Sequence, residues 1–267
     1  MPAGRQRGTP VVRRPELMEG LRQALEDAGF SHQQVKAALH SDDSLQVPPQ
    51  RAPLLLNELG EGPLATLIAL FVAGVAAPVG AATRAFAPLT LQQVEALGIV
   101  GLGRSLVHPL VQLWPSLEGL FASDVDVEAA DYVMGVSDST RLLAHTTIRR
   151  RIETALDVGA GNGYHAILAA RHTQRAVAVD INPRATAFAT FNAALNDTTN
   201  VDIRQGSMFE PIGANTFDLI VSNPPFVISP EKSFLYRDGE LGGDEVSRSL
   251  LQTCLLYTSD AADDLTR

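Results

Sequence analysis

Asp157-Val158-Gly159-Ala160-Gly161-Asn162-Gly163 is the stretch on which the fold turns. It follows a short apolar run, Thr154 to Val158, and leads into a helical pattern from Tyr164 to Arg171. Glycines between a strand and a helix let the backbone turn sharply and approach a ligand closely. The same rhythm continues downstream. A second apolar run, Ala176 to Val179, ends in Asp180, and a helix from Ala185 to Leu195 follows it. Val201 to Arg204 reads as a third strand and Phe217 to Ser222 as a fourth. Strands alternating with helices at this spacing predict βαβ units in a parallel sheet, with ligands outside the carboxyl ends of the strands.

The glycine spacing bears on which ligand that is. A dinucleotide fingerprint needs G-x-G-x-x-G, whereas here the third glycine, Gly163, comes one residue early and an acid, Asp157, precedes the first. That pattern suits S-adenosylmethionine, which brings an ammonium for an acidic neighbourhood and no pyrophosphate. Asp180, closing the second strand, is the residue type that accepts hydrogen bonds from two ribose hydroxyls. Taken singly, each glycine is explained by a tight turn and each aspartate by a helix cap. Their joint order is what points to a cofactor.

The fourth strand runs into Asn223-Pro224-Pro225-Phe226. A planar NH2 needs two acceptors to hold it in one orientation, and the Asn223 side-chain oxygen with the Pro224 carbonyl supplies both. The prolines fix that geometry, and Phe226 offers a face for stacking. Orienting the nitrogen lone pair is most of the catalysis required, so no strong general base is demanded.

From Asp131 to Thr253 these features resemble the class I S-adenosylmethionine-dependent methyltransferases, in the N-methylating branch with an Asn-Pro-Pro-aromatic motif. Within that branch the chain is similar to bacterial methylases with a helical N-terminal domain, most visibly over Val221 to Arg248. The resemblance implies a Rossmann-like α/β fold. It assigns Asp157, Gly159, Gly161 and Asp180, with Gly163 in the same loop, to the cofactor and Asn223, Pro224, Pro225 and Phe226 to the reacting amine. Ser207, after the third strand, stands where related enzymes often carry an acid for the adenine amine. The branch includes methylases of ribosomal-RNA guanine, of adenine and of release-factor glutamine. The expected substrate is a nucleic-acid base, RNA ahead of DNA; the alternatives are a protein glutamine amide and a cofactor-binding module without turnover.

Residues 1–15, with Arg5, Arg7, Arg13 and Arg14 among Gly and Pro, read as a disordered basic tail. Residues 16–125 read as a small, mainly helical domain: Leu17, Leu21 and Leu25 share one helical face, and Leu91, Val94 and Leu97 another. Gly62 to Thr83 carries no charge, but Pro78 and two interior glycines divide it into a buried helix ending near Gly74 and a second starting near Pro78. Extended segments at Ser105 to Pro115 and Gly119 to Val125, turning at Pro115 to Gly119, then give the helices-then-hairpin order of a winged-helix-like module.

With 30 acidic against 21 basic residues the net charge is −9, which argues against a surface that coats nucleic acid generally. The run Arg149-Arg150-Arg151 reads as a solvated helix end. One cysteine, Cys254, excludes an intrachain disulfide, and His108, His145, His165 and His172 share no metal spacing. Cytoplasm is the expected compartment, with neither metal nor membrane as a partner. Residues 126–253 are expected to be the N-terminal part of the methyltransferase domain, its sheet incomplete after four strands. Residues 254–267 resemble translated sequencing-adapter read-through, which makes Thr253 the expected last native residue.

Overall fold

The computed structural model describes residues 7–12, 14–40, 47, 52–125, 127–224 and 245–257. The chain divides into two compact units, residues 1–126 with 194–196, and residues 127–193 with 197–267.

In the first unit, α1 (Pro15–Asp27) starts on a proline, whose missing N–H costs nothing in a first turn, and buries Leu17, Met18, Leu21, Ala24 and Leu25. Ser31 caps α2 (His32–Ala38), and α3 spans Ala52–Leu59. The uncharged stretch becomes α4 (Pro63–Leu67), which continues as a π-helical turn over Ile68–Val72, then a two-residue strand β1 (Ala77–Pro78) and α5 (Val79–Ala85). All five residues of the π-helical turn are buried, and Phe71 meets both Phe30 and Phe86 edge-on. This apolar stretch is therefore core. No helix among the described residues is long and apolar enough to cross a membrane.

A Thr90–Gln93 capping box opens α6 (Leu91–Ala96). After it, β2 (Val100–Leu102) and β1 flank β3 (Leu106–Pro109), and β4 (Gln112–Ser116) pairs with β5 (Gly119–Ser123) in a hairpin around Leu117 and Glu118.

The disordered tail expected for residues 1–15 needs correction over residues 7–12. The Asp124 side chain is wholly buried, and the Arg7 guanidinium pairs with it at 3.0 Å. A buried carboxylate without such a partner would be costly, so the pair ties the N-terminal segment down. Backbone bonds from Gly8 to Leu110 and from Val11 to Leu97 hold the same segment.

The second unit carries α7 (Asp138–Thr146) and a four-stranded parallel sheet. Its strands are β6 (Ile152–Val158), β7 (Thr173–Asp180), β8 (Val201–Gln205) and β9 (Leu219–Ser222), in the order β8-β7-β6-β9. Helices α8 (Tyr164–Ala170) and α9 (Pro183–Leu195) make the first two crossovers.

Period-two alternation sorts the central strands between two faces. Leu156, Val158, Val177 and Val179 pack with Phe209, Ile212, Phe217 and Leu250. On the opposite parity, Ala155 and Ala176 meet Ala169 and Ala170, while Ala178 meets Ala166. Alanine against alanine lets α8 lie close to the sheet, and every residue of α8 is buried.

The expected boundary at Thr253 falls inside α10 (Glu245–Tyr257). Beyond it, Tyr257 stacks on Phe209 with ring centres 4.9 Å apart, and its carbonyl accepts from the Phe217 N–H at 2.7 Å.

Candidate cofactor and amine site

Parallel register brings the site together. Asp157 lies opposite Ala178 on β7 and Val221 on β9, so the glycine turn after β6 emerges between the ends of both neighbours. The N–H groups of Gly159 and Ala160 both donate to the Val179 carbonyl, which folds the turn over the end of β7. Gly161 N–H then donates to Asp180 Oδ2 at 2.7 Å, and Asp180 Oδ1 accepts from Asn182 N–H at 2.9 Å. Asp180 thus organises the turn through both of its oxygens. Burial raises its pKa above the ordinary carboxylate value, and the two backbone donors oppose that rise.

The three glycines differ. Gly159 and Gly161 hold φ of +71° and +54°, and a Cβ on either would meet nothing within 4 Å: the space above them is open. Gly163, at φ +82°, is a packing residue, since a Cβ there would lie 2.9 Å from Ala189 Cβ and 3.0 Å from its Cα. The sequence does not distinguish these settings; the third glycine belongs to helix–helix contact, and the first two border open space.

Asp157 is divided between structure and site. Its Oδ2 accepts from Ala166 N–H at 2.9 Å inside α8, while Oδ1 is buried with no hydrogen-bond partner. Burial pushes its pKa up to about 7; the Ala166 bond works against this and the neighbouring Asp180 charge adds to it. A buried, unpaired carboxylate oxygen beside a second acid is a place for a cation.

Ser207 follows Gly206, whose N–H donates to the Asp180 carbonyl, so the predicted adenine neighbour sits at the same edge as Asp180. Ile181, directly after Asp180, is 41% exposed at the same strand end.

On the other side of β6, Ser222 Oγ donates to the Val158 carbonyl at 2.8 Å and fastens the end of β9 to the start of the glycine turn. Asn223 therefore projects beside that turn, half-buried, with its Nδ2 donating to Ser139 Oγ at 3.4 Å. Pro224 follows it at the same edge; Pro225 and Phe226 lie outside the described residues. The arginine run is exposed, and Arg149 donates to the Ala144 carbonyl at 3.0 Å, closing the end of α7. No group of three or more His, Cys, Asp or Glu among the described residues could hold a metal ion.

An open glycine cradle, an orphaned buried carboxylate oxygen and a second strand-end acid fit S-adenosylmethionine, which carries an ammonium and a sulfonium and has ribose hydroxyls. The parallel sheet puts the glycine turn and both acids at the carboxyl ends of its strands, where a cofactor of this kind would bind. Residues 132–235 match the family model described as Methyltransferase small domain.

Among curated relatives, a release factor glutamine methyltransferase of Aliivibrio fischeri is 42% identical over 78 residues, 28% of each chain. Another from Geobacter sulfurreducens is 32% identical over 156 residues, covering 49% of this chain and 55% of the relative. A ribosomal protein uL3 glutamine methyltransferase of Bradyrhizobium diazoefficiens is 34% identical over 131 residues, covering 44% of this chain and 40% of the relative. The chain thus spans about half or less of the length of these relatives.

Proposed function

We propose that this chain carries the catalytic half of an N-methyltransferase whose substrate is a side-chain amide of glutamine in a protein. The observation that carries the reading is the position of Asn223, tied by Ser222 to the start of the glycine turn and hydrogen-bonded through its nitrogen. Its Oδ1 then remains as an acceptor. Together with the Pro224 carbonyl it can take both protons of a primary amide, holding the amide plane so that its nitrogen faces the cofactor. S-adenosylmethionine, when bound, supplies a methyl group made electrophilic by the sulfonium. Asp157 would hold the ammonium and Asp180 the ribose hydroxyls, with Gly159 and Gly161 leaving room for both. The amide nitrogen gains one methyl and gives up one proton to solvent, so the site needs to orient rather than to deprotonate.

The glutamine reading supersedes the nucleic-acid base expected first from the sequence. Three of the relatives above act, by name, on glutamine in a release factor or a ribosomal protein. The net charge of −9 also gives no general attraction to a polyanion. The test is transfer of labelled methyl from S-adenosylmethionine to separated protein, RNA and DNA fractions. Label in protein, released as N5-methylglutamine by exhaustive proteolysis and as methylamine by acid hydrolysis, is the expected result. Label in RNA or DNA alone would replace this reading by the nucleic-acid one.

Asp180→Ala is expected to weaken S-adenosylmethionine binding by about 1–3 kcal/mol, because a charged acceptor for two hydroxyls and the clamp on Gly161 vanish together. Titration calorimetry on the full chain checks this. Unchanged affinity would remove Asp180 from the cofactor site.

A further inference from the structure

The hydroxyls at the start of α7 form a cluster that the glycine turn does not use. Ser137 caps the helix by accepting from Thr140 N–H, and its Oγ lies 3.0 Å from Ser139 Oγ and 2.9 Å from Thr140 Oγ1. Ser139 Oγ in turn accepts from Asn223 Nδ2 at 3.4 Å, across 84 positions of sequence. A side-chain amide presents either its oxygen or its NH2 to a neighbour, and the neighbour's hydrogen bonds decide which. We propose that Ser139 is the positioning residue of Asn223: by accepting from Nδ2 it holds the amide with Oδ1 turned toward the amine to be methylated.

A consistent proton order supports this. The distances allow an order in which Ser139 gives its hydroxyl proton to Ser137, which already receives Thr140 N–H and passes its own proton to Thr140 Oγ1. Ser139 and Ser137 then each donate once, and the lone pairs of Ser139 are left for Asn223. Without Ser139 the amide of Asn223 is free to rotate by half a turn and present NH2 to the substrate, a donor meeting a donor. The hydroxyls reach Asn223 from a capped helix, and the Ser137 cap fixes them before any ligand arrives.

This inference rests on the reading of Asn223 as the amide-holding group, and its test separates the two. In full-length protein labelled with 15N, the Asn223 side-chain NH2 resonances are identified by their loss in Asn223→Ala. In Ser139→Ala they are expected to shift and their protons to exchange faster with water, whereas Ser139→Thr, which keeps the hydroxyl, should restore the wild-type signals. Unmoved resonances in Ser139→Ala would overturn the proposal whether or not any substrate is methylated.

Methyl transfer to the labelled protein fraction supplies the second readout. Ser139→Ala should lower kcat about tenfold with cofactor affinity unchanged, and Ser139→Thr should recover most of it. Shifted resonances with undiminished kcat would also overturn the positioning role. Absent transfer by the wild-type chain counts against the glutamine reading, and the resonance experiment still decides the hydrogen bond.

Discussion

Replacing Asn223 by alanine is expected to lower turnover about 100-fold or more while leaving S-adenosylmethionine affinity nearly intact. Asn223 stands at the end of β9, and its backbone neighbour Ser222 already supplies the bond that fastens this strand end to Val158. Truncating the Asn223 side chain therefore removes an acceptor for the substrate and leaves the glycine turn, Asp157 and Asp180 where they are. A 100-fold loss corresponds to about 2.7 kcal/mol of transition-state stabilisation, the size of one well-placed polar contact that orients a reacting nitrogen. Steady-state rates beside calorimetry make the comparison. Equal losses in turnover and in cofactor affinity would mean that Asn223 only braces the loop.

Gly163→Ala should act on stability instead, lowering it by about 2–5 kcal/mol. Two costs add: a left-handed backbone for a residue with Cβ, about 1–2 kcal/mol, and forced displacement of a packed neighbour, about 1–3 kcal/mol. The neighbour is Ala189, whose Cβ and Cα would lie 2.9 and 3.0 Å from the new methyl and have no flexible end to swing away. Gly161→Ala is the informative partner variant. It bears the backbone cost at φ +54° but meets no atom within 4 Å, so its stability should fall less and its cofactor affinity more. Thermal or urea unfolding of both variants checks the order. Equal destabilisation would mean that contact with Ala189 is relieved by a small backbone shift.

The part of the fold that the sequence displays is the part with a strong local pattern. Strand, glycine turn and helix from Ile152 to Ala170 are legible because apolar residues, glycines and helix formers follow one another without a break. Asp180 was legible because it ends an apolar run. The strand order is another matter, since β9 lies beside β6 although two strands intervene in the chain, and only tertiary packing decides that. The ordered Arg7 segment depends on Asp124, 117 positions away, and a run of Arg, Gly and Pro gives no local sign of it. Ser139 was invisible for the same reason. A serine in the first turn of a helix is ordinary capping chemistry until the structure puts Asn223 against it. The division of Asp157 between a helix amide and an unpaired oxygen likewise belongs to burial, which spacing does not report.

The central claim is that these strand ends form a site for a cationic, ribose-bearing cofactor, and titration of S-adenosylmethionine into the full chain at pH 5.5 and pH 7 tests it most directly. Burial pushes the pKa of Asp157 up to about 7. It is mostly neutral at the lower pH and half ionised at the higher, and a bound ammonium favours the ionised form. Binding should therefore release a proton at pH 5.5 and tighten about tenfold on going to pH 7. Asp157→Asn should bind more weakly at pH 7 and lose that dependence. No measurable binding, or wild-type affinity equal at the two pH values, would contradict the assignment of Asp157 to the cofactor.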